Sequence, residues 1–233
     1  MSVWVKICGT TNVDDAETAI ACGANALGFI FAPGPRRIAP LDARNIVARL
    51  PATLQRIGVF VNEKAERVRD IVSRAGMTGV QLHGDESPEY VQELFRNERS
   101  SERSERAARR RETRVFKAIR MDEHAAEKIG KFAAAGDLVD AFLLESPGAL
   151  RGGSGKTFDW ESAATLLRQF EGDPKLRFIV AGGLRPGNVQ DALRKLRPWG
   201  VDVASGVEKQ PGIKDPDAVR DFIDKVREVE ATL

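Results

Sequence analysis

The amino-acid sequence predicts an α/β fold, a single (β/α)₈ barrel, on three observations. Apolar runs of strand length alternate with helix-period patterns at a spacing of roughly 25 to 30 residues, the mark of successive βα units and a parallel sheet. Eight such units fit into the 233 residues, and eight parallel strands with eight intervening helices close most economically into a TIM-type barrel. The polar residues with chemical potential stand at the strands' carboxyl ends, where barrel enzymes carry their sites. An open doubly wound sheet is the alternative, and it is disfavoured because no G-x-G-x-x-G follows the first strand.

Bulk composition narrows the partners. With 36 Lys and Arg against 34 Asp and Glu, the net charge of +2 is too small to imply a nucleic-acid or anionic-membrane partner for the molecule as a whole. Cys8 and Cys22 show neither metal-ligand spacing nor a disulfide framework, so a reducing compartment is expected. No secretory signal precedes the first strand and no apolar run approaches a membrane span, which predicts a cytoplasmic protein. The oligomeric state is left open, with a monomer favoured.

The strands are expected at Trp4 to Cys8, Ala26 to Phe31, Arg56 to Val61, Gly79 to His83, Val115 to Ile119, Asp140 to Glu145, Phe178 to Ala181 and Val201 to Ser205. The helices are expected to begin near Val13, Pro40, Lys64, Ser87, Glu123, Phe158, Pro186 and Asp215. Alternation in the first strand sends Val5 and Ile7 to one face and Lys6 and Cys8 to the other, leaving a thiol at the strand's carboxyl end. The competing reading of Cys8 is a small buried hydrophobe. Asn12 is the expected N-cap of the first helix, with Ala16, Ala19 and Ile20 as its inward stripe; Cys22, at the far end, is read as structural.

The loop after the second strand carries Arg36 and Arg37. An arginine there can hold a carboxylate in bidentate fashion, whereas Arg37 is read as a solvated surface residue. The fourth strand points Gln81 and His83 into the barrel mouth, where two polar side chains need partners; both are read, with Arg36, as substrate-binding. Residues 97–113 are charged and almost devoid of apolar side chains, which predicts a solvated insert between the fourth helix and fifth strand, on the face away from catalysis. It lacks the interleaved aromatics of a nucleic-acid contact.

The sixth strand ends in Glu145, whose parity aims it into the mouth opposite Cys8. The following glycine-rich stretch, Arg151 to Thr157, fails the P-loop test because Leu150 stands where the first glycine is required. Gly182 and Gly183 after the seventh strand, with Ser205 and Gly206 after the eighth, match the recurrent phosphate cradle of barrel enzymes, made from backbone N–H groups and helix N-termini. Lys6 and Asp202 share inward parity on strands that become neighbours once the barrel closes, so a buried ion pair is expected below the site.

These residues resemble the phosphoribosylanthranilate isomerase family of tryptophan biosynthesis. The likeness rests on Lys6-Ile7-Cys8-Gly9, Gly28 to Phe31 leading to Pro35-Arg36, Gln81 to Gly84, Gly152 to Lys156 with Phe158-Asp159-Trp160, Ala181 to Leu184, and Asp202 with Ser205 to Glu208. The insert at 97–113 lies outside it. The resemblance implies a cofactor-free, metal-free barrel that performs an Amadori rearrangement on N-(5-phosphoribosyl)anthranilate, giving 1-(2-carboxyphenylamino)-1-deoxyribulose 5-phosphate. It implies Cys8 as base, Glu145 as acid, Arg36 on the anthranilate carboxylate and the phosphate on amides around Gly183, Ser205 and Gly206. Two positions depart from the family pattern: Glu145 replaces an aspartate and Ala204 a serine. The alternatives are a non-catalytic phosphosugar-binding barrel and the related aminoaldose-phosphate isomerase of histidine biosynthesis, which uses paired aspartates where this chain has Cys8.

Overall fold

A computed structural model describes residues 2–96, 113–146, 159–170 and 172–230. The chain alternates β1 (Trp4–Cys8), α1 (Val13–Ala21), β2 (Ala26–Ile30), α2 (Pro40–Val47), β3 (Gln55–Phe60), α3 (Ala65–Ala75), β4 (Gly79–Leu82) and α4 (Pro88–Leu94). It continues through β5 (Arg114–Arg120), α5 (Ala125–Ala134), β6 (Ala141–Glu145), α6 (Trp160–Gln169), β7 (Phe178–Val180), α7 (Val189–Leu196) and β8 (Gly200–Val203). The strands form a closed parallel barrel in sequence order, sealed where β8 pairs with β1 in the register Lys6 to Asp202. No helix among the described residues is long and apolar enough to cross a membrane.

Parity divides the core in two. Val3, Val5 and Ile7 face outward with the apolar stripes of the helices, while Trp4, Ile57, Phe116, Leu143 and Ile179 fill the barrel interior. The interior floor is aromatic: Trp4 stacks on Phe116 at 5.4 Å and on Trp199 at 5.2 Å, and the Arg177 guanidinium lies 5.2 Å over Trp199. Gly200 leaves room for Trp4, since a Cβ there would lie 2.8 Å from the Trp4 carbonyl oxygen and 3.1 Å from Cε3 of its indole. In α1, the Asn12 side chain accepts a hydrogen bond from the Asp15 N–H at 2.8 Å, as its cap position predicts. Ala16 and Ala19 are buried, and Ile20 only half so.

The departures gather at element ends. Strands β2, β4 and β8 stop before Phe31, His83 and Ser205, although the Phe31 and His83 N–H groups still donate to the Val59 and Phe60 carbonyls at 3.0 Å and 2.8 Å. Ser205 stands instead in a single 3₁₀ turn, Ser205–Val207. Helix α7 begins at Val189 rather than Pro186, behind a turn held by Asn188. A short hairpin of β9 (Glu208–Gln210) and β10 (Ile213–Lys214) precedes α8 (Pro216–Glu230) and was not anticipated. Of the charged insert only Thr113 is described, and both the stretch Arg151 to Thr157 and the expected helix start at Phe158 lie outside the described residues.

Emptying the floor should cost stability more than shape. Trp4→Ala is expected to lower the free energy of unfolding by about 3–5 kcal/mol in urea titrations, because it removes a fully packed aromatic layer. A loss below about 1 kcal/mol would mean that the floor is not a structural plug.

Candidate active site

Inward parity brings Lys6 and Cys8 of β1, Gln81 of β4, Leu143 and Glu145 of β6 and Asp202 of β8 toward one axis. Cys8, Gln81, Leu143, Glu145 and Asp202, with His83 just past β4, line a cavity of about 350 Å³ at the strands' carboxyl ends. That volume suits a small-molecule ligand. The loops after β2, β7 and β8 complete its walls with Arg36, Gly182, Gly183, Ser205 and Gly206.

The polar groups under the cavity form one hydrogen-bonded chain. Lys6 Nζ donates to Asp202 Oδ1 at 2.8 Å, the ion pair expected from strand parity, and to Gln81 Oε1 at 2.7 Å. Gln81 Nε2 lies 2.8 Å from His83 Nδ1, and His83 Nε2 lies 2.8 Å from Glu145 Oε2. Gln81 is 1% exposed, with both ends of its amide engaged by protein. Burial alone would lower the Lys6 ammonium, but Asp202 and Cys8 beside it outweigh that and hold it above the ordinary lysine value. Burial pushes the Cys8 thiol up and Asp202 adds to the rise, while the positive charges of Lys6 and Lys214 oppose it without cancelling it.

A second buried cluster braces the other side of Cys8. Lys214 Nζ donates to the Cys8 carbonyl at 2.5 Å, the Ala204 carbonyl at 3.2 Å and Glu208 Oε1 at 2.9 Å. Burial lowers the Lys214 ammonium. Glu208 also receives Arg36, through Nε at 2.9 Å and 3.0 Å and Nη2 at 2.7 Å. Arg36 therefore lines the cavity while its fork is occupied by a carboxylate of the protein, and Arg37 is exposed, as expected. Burial raises Glu208, yet the hydrogen bond from Arg36 and the charge of Lys214 prevail and keep it below the usual carboxylate range.

The two loops of the phosphate-type cradle are pressed together. Gly182 and Gly183 take φ of 78° and 70°, conformations that favour glycine. A Cβ on Gly206 would fall 1.8 Å from the Leu184 carbonyl oxygen. Asn188 pins the first loop, donating to the Gly183 carbonyl at 3.0 Å and accepting from the Arg185 N–H at 2.9 Å. Every sequence-predicted site residue thus falls on one cavity wall. What sequence reasoning missed is the support: Lys214 and the clamp role of Glu208, carried by strands too short to show a period, and Asn188, signalled only as a helix cap.

A closed (β/α)₈ barrel whose mouth sets a thiol, a carboxyl group and two glycine-built turns around one small cavity has the layout of the sugar-phosphate isomerase barrels. Comparison narrows the class. The family described as N-(5'-phosphoribosyl)anthranilate (PRA) isomerase matches residues 5–225, and the chain belongs to it. Relatives of that name from Trichlorobacter lovleyi and Desulforudis audaxviator are 41% and 42% identical over 226 and 224 residues; each match covers 96% of this chain and 98% of the relative. The crystal structure of phosphoribosyl anthranilate isomerase from Thermotoga maritima superposes with a TM-score of 0.80 at 37% identity, covering 97% of this chain and 99% of that one. A second solved isomerase, in complex with reduced 1-(o-carboxyphenylamino)-1-deoxyribulose 5-phosphate, gives a TM-score of 0.75 at 34% identity, with 97% and 99% covered.

Two outcomes test this geometry. A Cβ on Gly28 would lie 2.7 Å from Cys8 Sγ and 2.9 Å from Lys6 Cε, so Gly28→Ala should displace the thiol and cut kcat roughly 10²-fold with the barrel intact by circular dichroism. A wild-type kcat would refute the close fit. Because Glu208 is held below the usual range, its contribution to stability is complete above that range and lost as pH falls through its lower folded value. Glu208→Gln should accordingly be destabilised in urea at neutral pH, with the gap to wild type closing as pH falls below the usual carboxylate range; a constant gap would exclude the linkage.

Proposed function

We propose that Cys8 and Glu145 are the base and acid of the Amadori rearrangement catalysed by this family, the conversion of N-(5-phosphoribosyl)anthranilate to 1-(2-carboxyphenylamino)-1-deoxyribulose 5-phosphate. Glu145 gives a proton to the furanose ring oxygen as the C1–O bond breaks, and the nitrogen lone pair forms the C1 iminium. Cys8, as thiolate, removes the C2 proton; the C2–H electron pair becomes the C1–C2 double bond and the iminium electrons return to nitrogen. Protonation of the enolamine at C1 and loss of the C2 hydroxyl proton leave the ketone. Bonds and protons balance within one molecule, and each catalytic group is restored by a proton transfer.

The observation that carries this reading is the placement of a thiol and a carboxyl group in one 350 Å³ cavity, each with its own buried support. Lys6 and Lys214 bring positive charge to Cys8 from two sides, and the iminium adds a third beside it as it forms. Burial and Asp202 still hold the thiol above its ordinary value in the free protein, so it is the positive charge of the forming iminium that draws out the thiolate as C2 becomes acidic. For the phosphate, the glycine turns after β7 and β8 supply backbone N–H groups without a side chain to shield them. For the anthranilate carboxylate, Arg36 stands at the rim, its guanidinium held in orientation by Glu208 and retaining N–H groups beyond that pair.

Steady-state turnover of phosphoribosylanthranilate decides the roles. Cys8→Ala and Glu145→Gln should each lower kcat by at least about 10²-fold while the product still binds in calorimetry. Full turnover by Glu145→Gln would remove that residue from the acid's role.

A further inference from the structure

Lys6 has no assigned part in the chemistry, and Gln81 and His83, expected from the sequence to bind substrate, are engaged with protein groups instead, in an order along the chain of hydrogen bonds that is informative. The Lys6 ammonium can only donate, so the Gln81 atom 2.7 Å from it is the carbonyl oxygen. The other end of that amide is then NH₂, which also can only donate, and it faces His83 Nδ1 at 2.8 Å. His83 Nδ1 must accept; it carries no proton. A neutral imidazole without a proton on Nδ1 has it on Nε2, which faces Glu145 Oε2 at 2.8 Å. Direction is passed from a lysine on β1 through β4 to the carboxyl group on β6 with no free choice at any step.

We propose that this buried chain is a tautomer lock: Gln81, oriented by Lys6, holds His83 as the Nε2–H tautomer, and His83 in turn holds Glu145 so that its transferable proton sits on Oε1. The inference rests on Glu145 being the acid, as argued above. A doubly protonated His83 would form an ion pair with Glu145 and leave it a bare carboxylate with nothing to give the ring oxygen. The amide prevents this, because an Nδ1–H would be set against the Gln81 N–H. Lys6, Gln81 and His83 are positioning residues, acting on the substrate through Glu145.

The protein has two histidines, which makes the tautomer directly observable. Ring-¹⁵N histidine is incorporated into the full chain, and two-bond ¹H–¹⁵N correlations separate a bare ring nitrogen from an N–H; exposed His124 is assigned through His124→Gln. The expected wild-type pattern for His83 is bare Nδ1 with protonated Nε2. Gln81→Glu keeps the shape but presents an acceptor to Nδ1, so the pattern should invert to Nδ1–H, with kcat reduced roughly 10- to 100-fold and KM within about threefold. Gln81→Met, which adds no buried charge, should mix the two tautomers and lower kcat less, and it serves if Gln81→Glu does not fold. A wild-type His83 carrying Nδ1–H, or a Gln81→Met protein with the wild-type tautomer and kcat, would overturn the lock. Full turnover in Glu145→Gln with the Nε2–H pattern intact would instead overturn the acid assignment and the proton's place on Oε1, leaving the tautomer itself standing.

Discussion

A buried ammonium is the constraint around which this barrel is arranged. Lys6 is 1% exposed, and an uncompensated charge at that depth is costly enough that its surroundings must answer it. Barrel closure supplies Asp202, because β8 returns to β1 in the register that sets Lys6 opposite it. One carboxylate leaves donors unspent, and Gln81 takes another. From that point the orientation of each group is forced by the one before, as far as Glu145. The same ammonium also lies beside Cys8, so the two groups proposed to move protons share one electrostatic origin, at opposite ends of its reach.

Lys214 plays the complementary part from outside the strand layer. Its donors join the Cys8 and Ala204 carbonyls to Glu208, so the end of β1, the turn after β8 and the β9–β10 hairpin are tied to one ammonium. Asp15 completes the tie by accepting from the Lys214 N–H at 2.8 Å, linking the start of α1 to the same corner. Arg36 is bound to that unit through Glu208. A guanidinium on a proline- and glycine-rich loop would otherwise sample many positions; clamped on one edge, it offers its remaining N–H groups in a fixed direction, which would lower the entropy lost in the carboxylate binding proposed for it.

Much of this was legible in the sequence, because strand parity is a strict rule. Alternation placed Lys6, Cys8, Gln81, Glu145 and Asp202 on the interior face, and closure of eight strands made the Lys6 to Asp202 pair predictable across 196 residues. Less legible were relations that parity does not encode. That Gln81 is spent on Lys6 and His83 follows from distances between strands, and the partner of Arg36 comes from a hairpin whose strands have three and two residues. Element ends shifted for a related reason: the alternation continues through His83 and Ser205, but His83 keeps only its N–H bond to the Phe60 carbonyl and Ser205 enters a 3₁₀ turn, neither of which alternation encodes.

The glutamate in place of the family's aspartate gains a physical account from the same chain. One more methylene adds a rotatable bond, and fixing a glutamate side chain costs up to about 1.5–2 kcal/mol of rotamer freedom, only part of it due to that bond. A hydrogen bond between neutral partners contributes about 0.5–1.5 kcal/mol, comparable to the share of that cost the added bond brings, so the single contact from His83 Nε2 offsets the added freedom. The offset works only if the imidazole is itself immobile, which the Gln81 amide ensures from the opposite ring nitrogen. The proposed acid, one methylene longer, and the proposed lock on His83 are then two halves of one arrangement: reach comes from the methylene, and precision from a bond whose direction begins at Lys6.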